Sequence, residues 1–166
     1  MNVPCVFGGS PKNHHLVLEH LATSKNCSLI RIDNHEDFIR VMMGYSLPCA
    51  RYMNEVFLKK YFESVFWINK KKDFELVSYE KTTGYSPLKS VYSSFSGIST
   101  FVDENSCDEI VLDVDPDTLR DYDTGFSKGL MEKGELKNFI NFFIEKKRVK
   151  LFFLAESEDF LEELLH

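Results

Sequence analysis

The chain has 166 residues, 43% hydrophobic and 28% charged, with 15 Phe and a net charge of −6. That length suits one domain with a sizeable core, and Phe-rich apolar runs favour a well-filled core over disorder. The acidic balance disfavours nucleic acid as a partner, since basic residues cluster only at Lys70-Lys71-Lys72 and Lys146-Lys147-Arg148.

No apolar run approaches the ~18 residues needed to span a bilayer, so no membrane association is expected. The opening Met-Asn-Val-Pro-Cys-Val-Phe-Gly-Gly lacks a positive segment followed by a long apolar one, and no signal peptide is expected. Four cysteines, Cys5, Cys27, Cys49 and Cys107, form no CxxC pair. They read as free buried thiols in a reducing, cytoplasmic setting, and their spacing excludes a standard zinc ribbon.

In chain order, Val3–Phe7 is a brief strand ending in Gly8-Gly9, and Leu16–Ala22 has helical spacing with Asn13 available as N-cap. Cys27–Asp33 reads as a strand ending in acid. Ala50–Phe62 is a helix, Ser64–Ile68 a buried strand, and Phe74–Tyr79 an alternating strand after a lysine turn. Lys81–Ser99, rich in Ser, Thr, Gly and Tyr, carries no clear pattern. Its Tyr85, Tyr92 and Phe95 suit either a partner surface or a local cap over the core. Glu109–Asp113 is a second strand ending in acid. A helix runs from Gly134 to about Lys147, Val149–Ala155 is a continuous apolar strand, and Glu158–Leu165 closes as a helix. Apolar strands separated by helices predict an α/β fold with a mostly parallel sheet.

Two acidic clusters end two of these strands. In Asp33-Asn34-His35-Glu36-Asp37, alternate side chains of an extended chain share a face, so Asp33, His35 and Asp37 can converge. Asp113-Val114-Asp115 again puts two acids on one face. Both lie at carboxyl ends of strands, where open α/β sheets bind ligands. Carboxylates crowded there repel and lose hydration unless a cation joins them. Oxygen donors with some imidazole suit Mn, Fe, Co or Zn. A lone Asp-x-Asp after a strand is also a common helix N-cap; the two clusters together point to metal. His14-His15 follows the Gly-Gly strand end and can place one imidazole at the same edge, whereas His20 and His166 carry no such signal.

The order Gly8-Gly9 with Asn13-His14-His15, then Asp33-x-His35-x-Asp37, then Asp113-x-Asp115 resembles the arginase–deacetylase superfamily. It resembles most a short arginase-like branch in which a His precedes an apolar helix, here Leu16-Val17-Leu18, and a helix leads into an aromatic strand. The resemblance implies a three-layer α/β fold, a mostly parallel sheet flanked by helices, as one domain over 1–166. It implies two divalent metal ions, manganese ahead of zinc or iron. Asp33 and Asp113 would bridge them, His14 and Asp37 would complete one site, and His35 and Asp115 the other. Glu156 would face the substrate, and Glu156 or Asp117 would orient an amine-bearing leaving group.

The chain departs from the family in several places. Ser10-Pro11-Lys12-Asn13 interrupts the first motif and leaves His14 and His15 both open as the ligand. No His occurs between His35 and His166, so the family's substrate-side histidine has no counterpart. Pro116-Asp117 follows Asp115, where the family spaces its Asp-Pro further on. The chain is also about half a typical ureohydrolase in length.

The implied activity is hydrolysis of a linear C–N bond, in an amide, amidine or guanidine of a small molecule. The ions would supply hydroxide near neutral pH and stabilise developing charge. The alternative is a catalytically inactive arginase-like module that keeps its metals for stability or for a partner, and a homo-oligomer is compatible with either. A calcineurin-like phosphoesterase is a weaker match, since the early Asp-x-His and Gly-Asp it requires are missing.

Overall fold

The computed structural model describes residues 3–21, 25–37, 52–122 and 128–165. The apolar runs form strands β1 (Cys5–Phe7), β2 (Ser28–Ile32), β3 (Ser64–Lys70), β4 (Phe74–Glu80), β5 (Leu88–Tyr92), β6 (Glu109–Val114) and β7 (Arg148–Leu154). They pair in one sheet of order β1-β7-β6-β2-β3-β4-β5. From β1 to β3 all pairings are parallel; β4 and β5 add an antiparallel extension. β2 and β6 are central, with Arg31 opposite Asp113 and Ile32 opposite Val114. Their carboxyl ends therefore finish side by side.

Helices cover both faces, giving the three layers. One face packs Ile30, Ile32, Leu112 and Phe152 against α3 (Phe95–Asn105), α4 (Lys133–Lys146) and α5 (Glu158–Leu165). The other packs Leu29, Val65, Val111 and Phe153 against Val17, α1 (Leu18–Leu21) and α2 (Tyr52–Lys59). Strand parity sets the allocation: even positions of β2 face the first layer and odd positions the second. Arg31, Asp33, Asp113 and Asp115 share the odd parity of Leu29 and Val111, so they belong to the α1–α2 side.

Several local expectations change. Residues 11–17 form a 3₁₀ helix rather than the start of an α-helix, and Ser10, not Asn13, caps it by accepting from the Lys12 N–H. The Asn13 amide instead donates to the Gly8 carbonyl at 2.9 Å. That carbonyl belongs to a turn whose Gly8 N–H donates to the Leu154 carbonyl of β7 and whose Gly9 N–H donates to the Glu156 carbonyl just beyond, with Gly9 at φ +70°. Ala22, Cys49, Ala50, Arg51 and His166 lie outside the described residues. Within 81–99 the chain makes β5 and the first half of α3, which Ser94 caps.

Its aromatics turn inward: Tyr85 packs edge-on against Phe57, Phe95 edge-on against Phe139 and Phe142, and Tyr92 lies tilted on Phe101. They act as a local cap over the core. Cys27 is buried, while Cys5 and Cys107 are only half-buried. Among the described residues no helix is long and apolar enough to cross a membrane.

Candidate metal centre

The odd-parity face of β2 and β6 is apolar until it reaches Arg31 and Asp113, then turns acidic. His14, lifted by the 3₁₀ helix, inserts its buried ring between the two strand ends. Nε2 lies 2.6 Å from Asp113 Oδ1, and Nδ1 lies 3.1 Å from Asp115 Oδ2, 3.3 Å from Asp33 Oδ2 and 3.8 Å from Asp37 Oδ2. Its ring stacks on Phe153, with centroids 5.8 Å apart. Of the two candidate histidines, His14 is the one whose ring meets the carboxylates.

Asp33 and Asp37 converge, but not through an extended strand. β2 ends at Ile32, the backbone bends, and Asp37 takes φ +50° so that its carboxylate returns toward Asp33. The strut inside this bend is Arg31, a residue the motif did not mark. Its Nη2 binds Asp33 Oδ2, Asp37 Oδ2 at 2.5 Å and the His35 carbonyl at 3.2 Å, and Nη1 donates to the Glu36 carbonyl at 3.1 Å. The guanidinium carbon lies 5.1 Å from the centre of the Tyr52 ring, within cation–π range. The Tyr52 hydroxyl donates to Asp113 Oδ2 at 2.6 Å.

His35 leaves this group. It is half-buried, and Nδ1 meets Asp117 Oδ2 at 2.5 Å rather than Asp115. Asp117 is fully enclosed and also accepts from the Asn34 N–H. Asp115 caps the short 3₁₀ turn 116–118, accepting from the Asp117 N–H at 3.0 Å. Glu156 follows β7 and is held by the Tyr122 hydroxyl on Oε2 and the Ser157 N–H on Oε1. On the same face as Asp33, β3 presents Trp67, which donates to the Asp33 carbonyl at 2.8 Å, and the buried amide of Asn69, whose polar atoms have no hydrogen-bond partner among the described residues.

The electrostatics follow from burial. It pushes the Asp37 carboxyl up to about 8 and that of Asp115 up to about 7, with the charge of Asp33 adding to both. Burial also raises Asp117. For Asp33 the same burial is outweighed by Arg31 and then His14, which hold it below the usual carboxylate range. Burial opposes a charged His14, yet Asp113 and Asp115 raise it well above an ordinary imidazole. The Asp117 carboxylate raises His35 to about 9.

The loop carrying Asp117 depends on a close approach. Gly129 donates its N–H to the Asp117 carbonyl at 2.9 Å, and a Cβ there would collide with the Thr118 backbone carbonyl. Gly129→Ala should cost about 1–3 kcal/mol by overpacking and shift Asp117. Urea denaturation with and without Mn²⁺ reads both effects; an unchanged midpoint and unchanged ion response would count against this packing.

No family model and no curated protein matches the sequence. Solved structures do. Formimidoylglutamase from Bacillus subtilis subsp. subtilis str. 168 aligns with TM-score 0.62 and 14% identity, over 96% of this chain and 54% of its own. Arginase from Medicago truncatula aligns with TM-score 0.54 and 12% identity, over 98% of this chain and 55% of its own. The chain has the arginase-like three-layer α/β fold, and it spans about half the length of these structures.

The donors gathered here are carboxylate and imidazole, the chemistry that suits Mn, Zn or Fe. Two triads bring one ligand atom each to within 4.8 Å of one another: His14–Asp33–Asp115 and Asp33–His35–Asp117. The second fits a divalent ion, with a half-buried imidazole on its outer side. The first fits poorly, because Arg31 already holds Asp33 Oδ2, the oxygen that faces His14 Nδ1.

Proposed function

We propose that the chain is a metal-dependent hydrolase of a linear C–N bond in a small molecule, an amide, amidine or guanidine. The observation that carries this reading is a carboxylate–imidazole group that fits a divalent ion, built on Asp33 at the carboxyl ends of the central strands of an arginase-like sheet. A divalent ion held by Asp33 and the carboxylate and imidazole beside it would supply hydroxide near neutral pH and Lewis-acid polarisation of the carbon under attack. Manganese leads as the ion, with zinc or iron as alternatives.

The chain's own residues bind and orient. Asp33, the carboxylate common to both triads, anchors the ion, and Arg31 and the Trp67 indole keep its loop in place. Glu156, fixed by Tyr122 and Ser157, stands just past the carboxyl end of β7, beside the strand that carries Asp113. It offers a negative charge to an amine or amidinium leaving group. The Asn69 amide offers a donor and an acceptor from β3. Trp67 and Phe153 limit water behind the ligands, which strengthens every charge interaction in front of them.

The test begins with metal content of the protein dialysed against Mn²⁺, followed by ammonia or amine release from a panel of amides, amidines and guanidines. Release that stops on chelation supports the reading. Bound metal without turnover on any of them favours the inactive-module alternative, and phosphodiester cleavage would favour the phosphoesterase.

A further inference from the structure

The guanidinium of Arg31 stands where the family pattern puts an ion. That ion would be held by His14, Asp33, Asp37 and Asp113, and Arg31 reaches all three carboxylates. Nη2 is on Asp33 Oδ2 and 2.5 Å from Asp37 Oδ2, and Nε is 3.7 Å from Asp113 Oδ2. The remaining ligand, His14, is turned by Nε2 onto Asp113 Oδ1, while Tyr52 takes Asp113 Oδ2. Both oxygens of Asp113 are thus spoken for.

This cation is built in. Guanidinium keeps its charge at any physiological pH, and its planar fork matches paired carboxylates. Arg31 is rooted in β2 between Trp67 and Asp113 of the flanking strands and is buried. To leave, it would abandon the carbonyls of His35 and Glu36 and the face of Tyr52 as well as the carboxylates. A divalent ion among the same oxygens would press against a fixed positive charge.

The Asp33–His35–Asp117 group differs. Asp33 turns Oδ1 to that side, accepting from the His35 N–H at 2.7 Å. Asp117 meets His35 there at 2.5 Å, and the half-buried ring of His35 gives an ion a path inward. The Asn69 amide lies on the same face of the sheet, buried and without a hydrogen-bond partner among the described residues.

We propose that the chain binds one divalent ion, held by Asp33, His35 and Asp117, and that Arg31 takes the place of a second ion. This rests on the metal-dependent reading above and sharpens its ligand set and stoichiometry. It also makes Asp117 a ligand, and it makes Asp37 a partner of Arg31. The bend 33–37, tied to the guanidinium through side chains and carbonyls, is formed before any ion arrives.

Elemental analysis and electron paramagnetic resonance on the whole chain, dialysed against Mn²⁺, test this. The expected result is one Mn²⁺ per chain with the spectrum of an isolated ion. Asp117→Asn should weaken binding at least about tenfold, while Asp37→Asn should leave the stoichiometry at one. Arg31→Met, refolded in Mn²⁺, should admit a second ion and show an exchange-coupled spectrum. Should Arg31→Met fail to fold, the two aspartate variants still decide. Two coupled ions in the wild type would overturn the proposal and leave the metal-dependent reading standing. Loss of the ion in Asp37→Asn with retention in Asp117→Asn would overturn the ligand set. No ion in the wild type would overturn both readings.

Discussion

Arg31→Met should lower the stability of the metal-free chain by about 3–5 kcal/mol, the cost of stripping one partner from a buried charge group. The methionine keeps most of the stem's volume, so the loss is electrostatic rather than a cavity. What remains is the set Asp33, Asp37 and Asp113 with the guanidinium gone and His14 as the nearby cation. For a domain of this size each kcal/mol moves Tm by about 2–4 °C, so a fall of about 10 °C is expected in chelator. The hydrogen bonds to the His35 and Glu36 carbonyls go too, which frees the bend that carries the ligands. Added Mn²⁺ should recover much of the deficit, since an ion can occupy the vacated place and binds only the folded chain. Thermal denaturation followed by circular dichroism, in chelator and in Mn²⁺, reads both numbers. A variant as stable as the wild type in chelator would mean that these carboxylates do not depend on Arg31.

The strands that carry the site were legible because they are buried on both faces. Ser28–Ile32 and Glu109–Val114 read as unbroken apolar runs, and the acids at their ends inherit their parity. β5 was missed for the opposite reason. Leu88–Tyr92 is an edge strand with Leu88 and Val91 exposed, so its composition carries no inside–outside alternation to detect. α3 was masked by small residues; its Ser94 cap was there to be read, but Phe95-Ser96-Gly97 does not resemble a helix start.

Within the site, Asp33, Asp113 and Asp115 followed from strand parity, whereas the place beside the Gly-Gly turn left His14 and His15 both open. Parity could not foresee that Asp37 returns by a left-handed bend while His35 swings to Asp117. Arg31 did leave a signal. It is a lone cation in an apolar strand, two residues before Asp33, so its side chain had to emerge on the face of that acid. Asn69, two residues after Trp67, shares the face of that indole by the same parity. Tyr52 gave none, because its partners lie 38 and 61 residues away.

Asp33→Asn tests the other half of the central pair, and its expected signature is the reverse of Arg31→Met. The amide keeps the shape of the carboxylate and can still accept from the His35 N–H. Its NH₂, however, sets a donor against Arg31 Nη2, and the guanidinium is left with Asp37 and Asp113. A cost of about 3–5 kcal/mol is expected in chelator. The response to metal separates the variants. Wild-type chain in Mn²⁺ at a hundredfold excess over Kd gains about 2.7 kcal/mol. Asp33→Asn removes the carboxylate common to both triads and should gain almost nothing, whereas Arg31→Met should gain more than the wild type. The two losses also overlap, because each single variant takes the same partner contact from the other residue's buried charge. The double variant should therefore be about 1–3 kcal/mol more stable than the sum of the single effects implies. Strict additivity, or an Asp33→Asn protein that Mn²⁺ still stabilises like the wild type, would separate the ion from Asp33 and move the metal centre elsewhere in the chain.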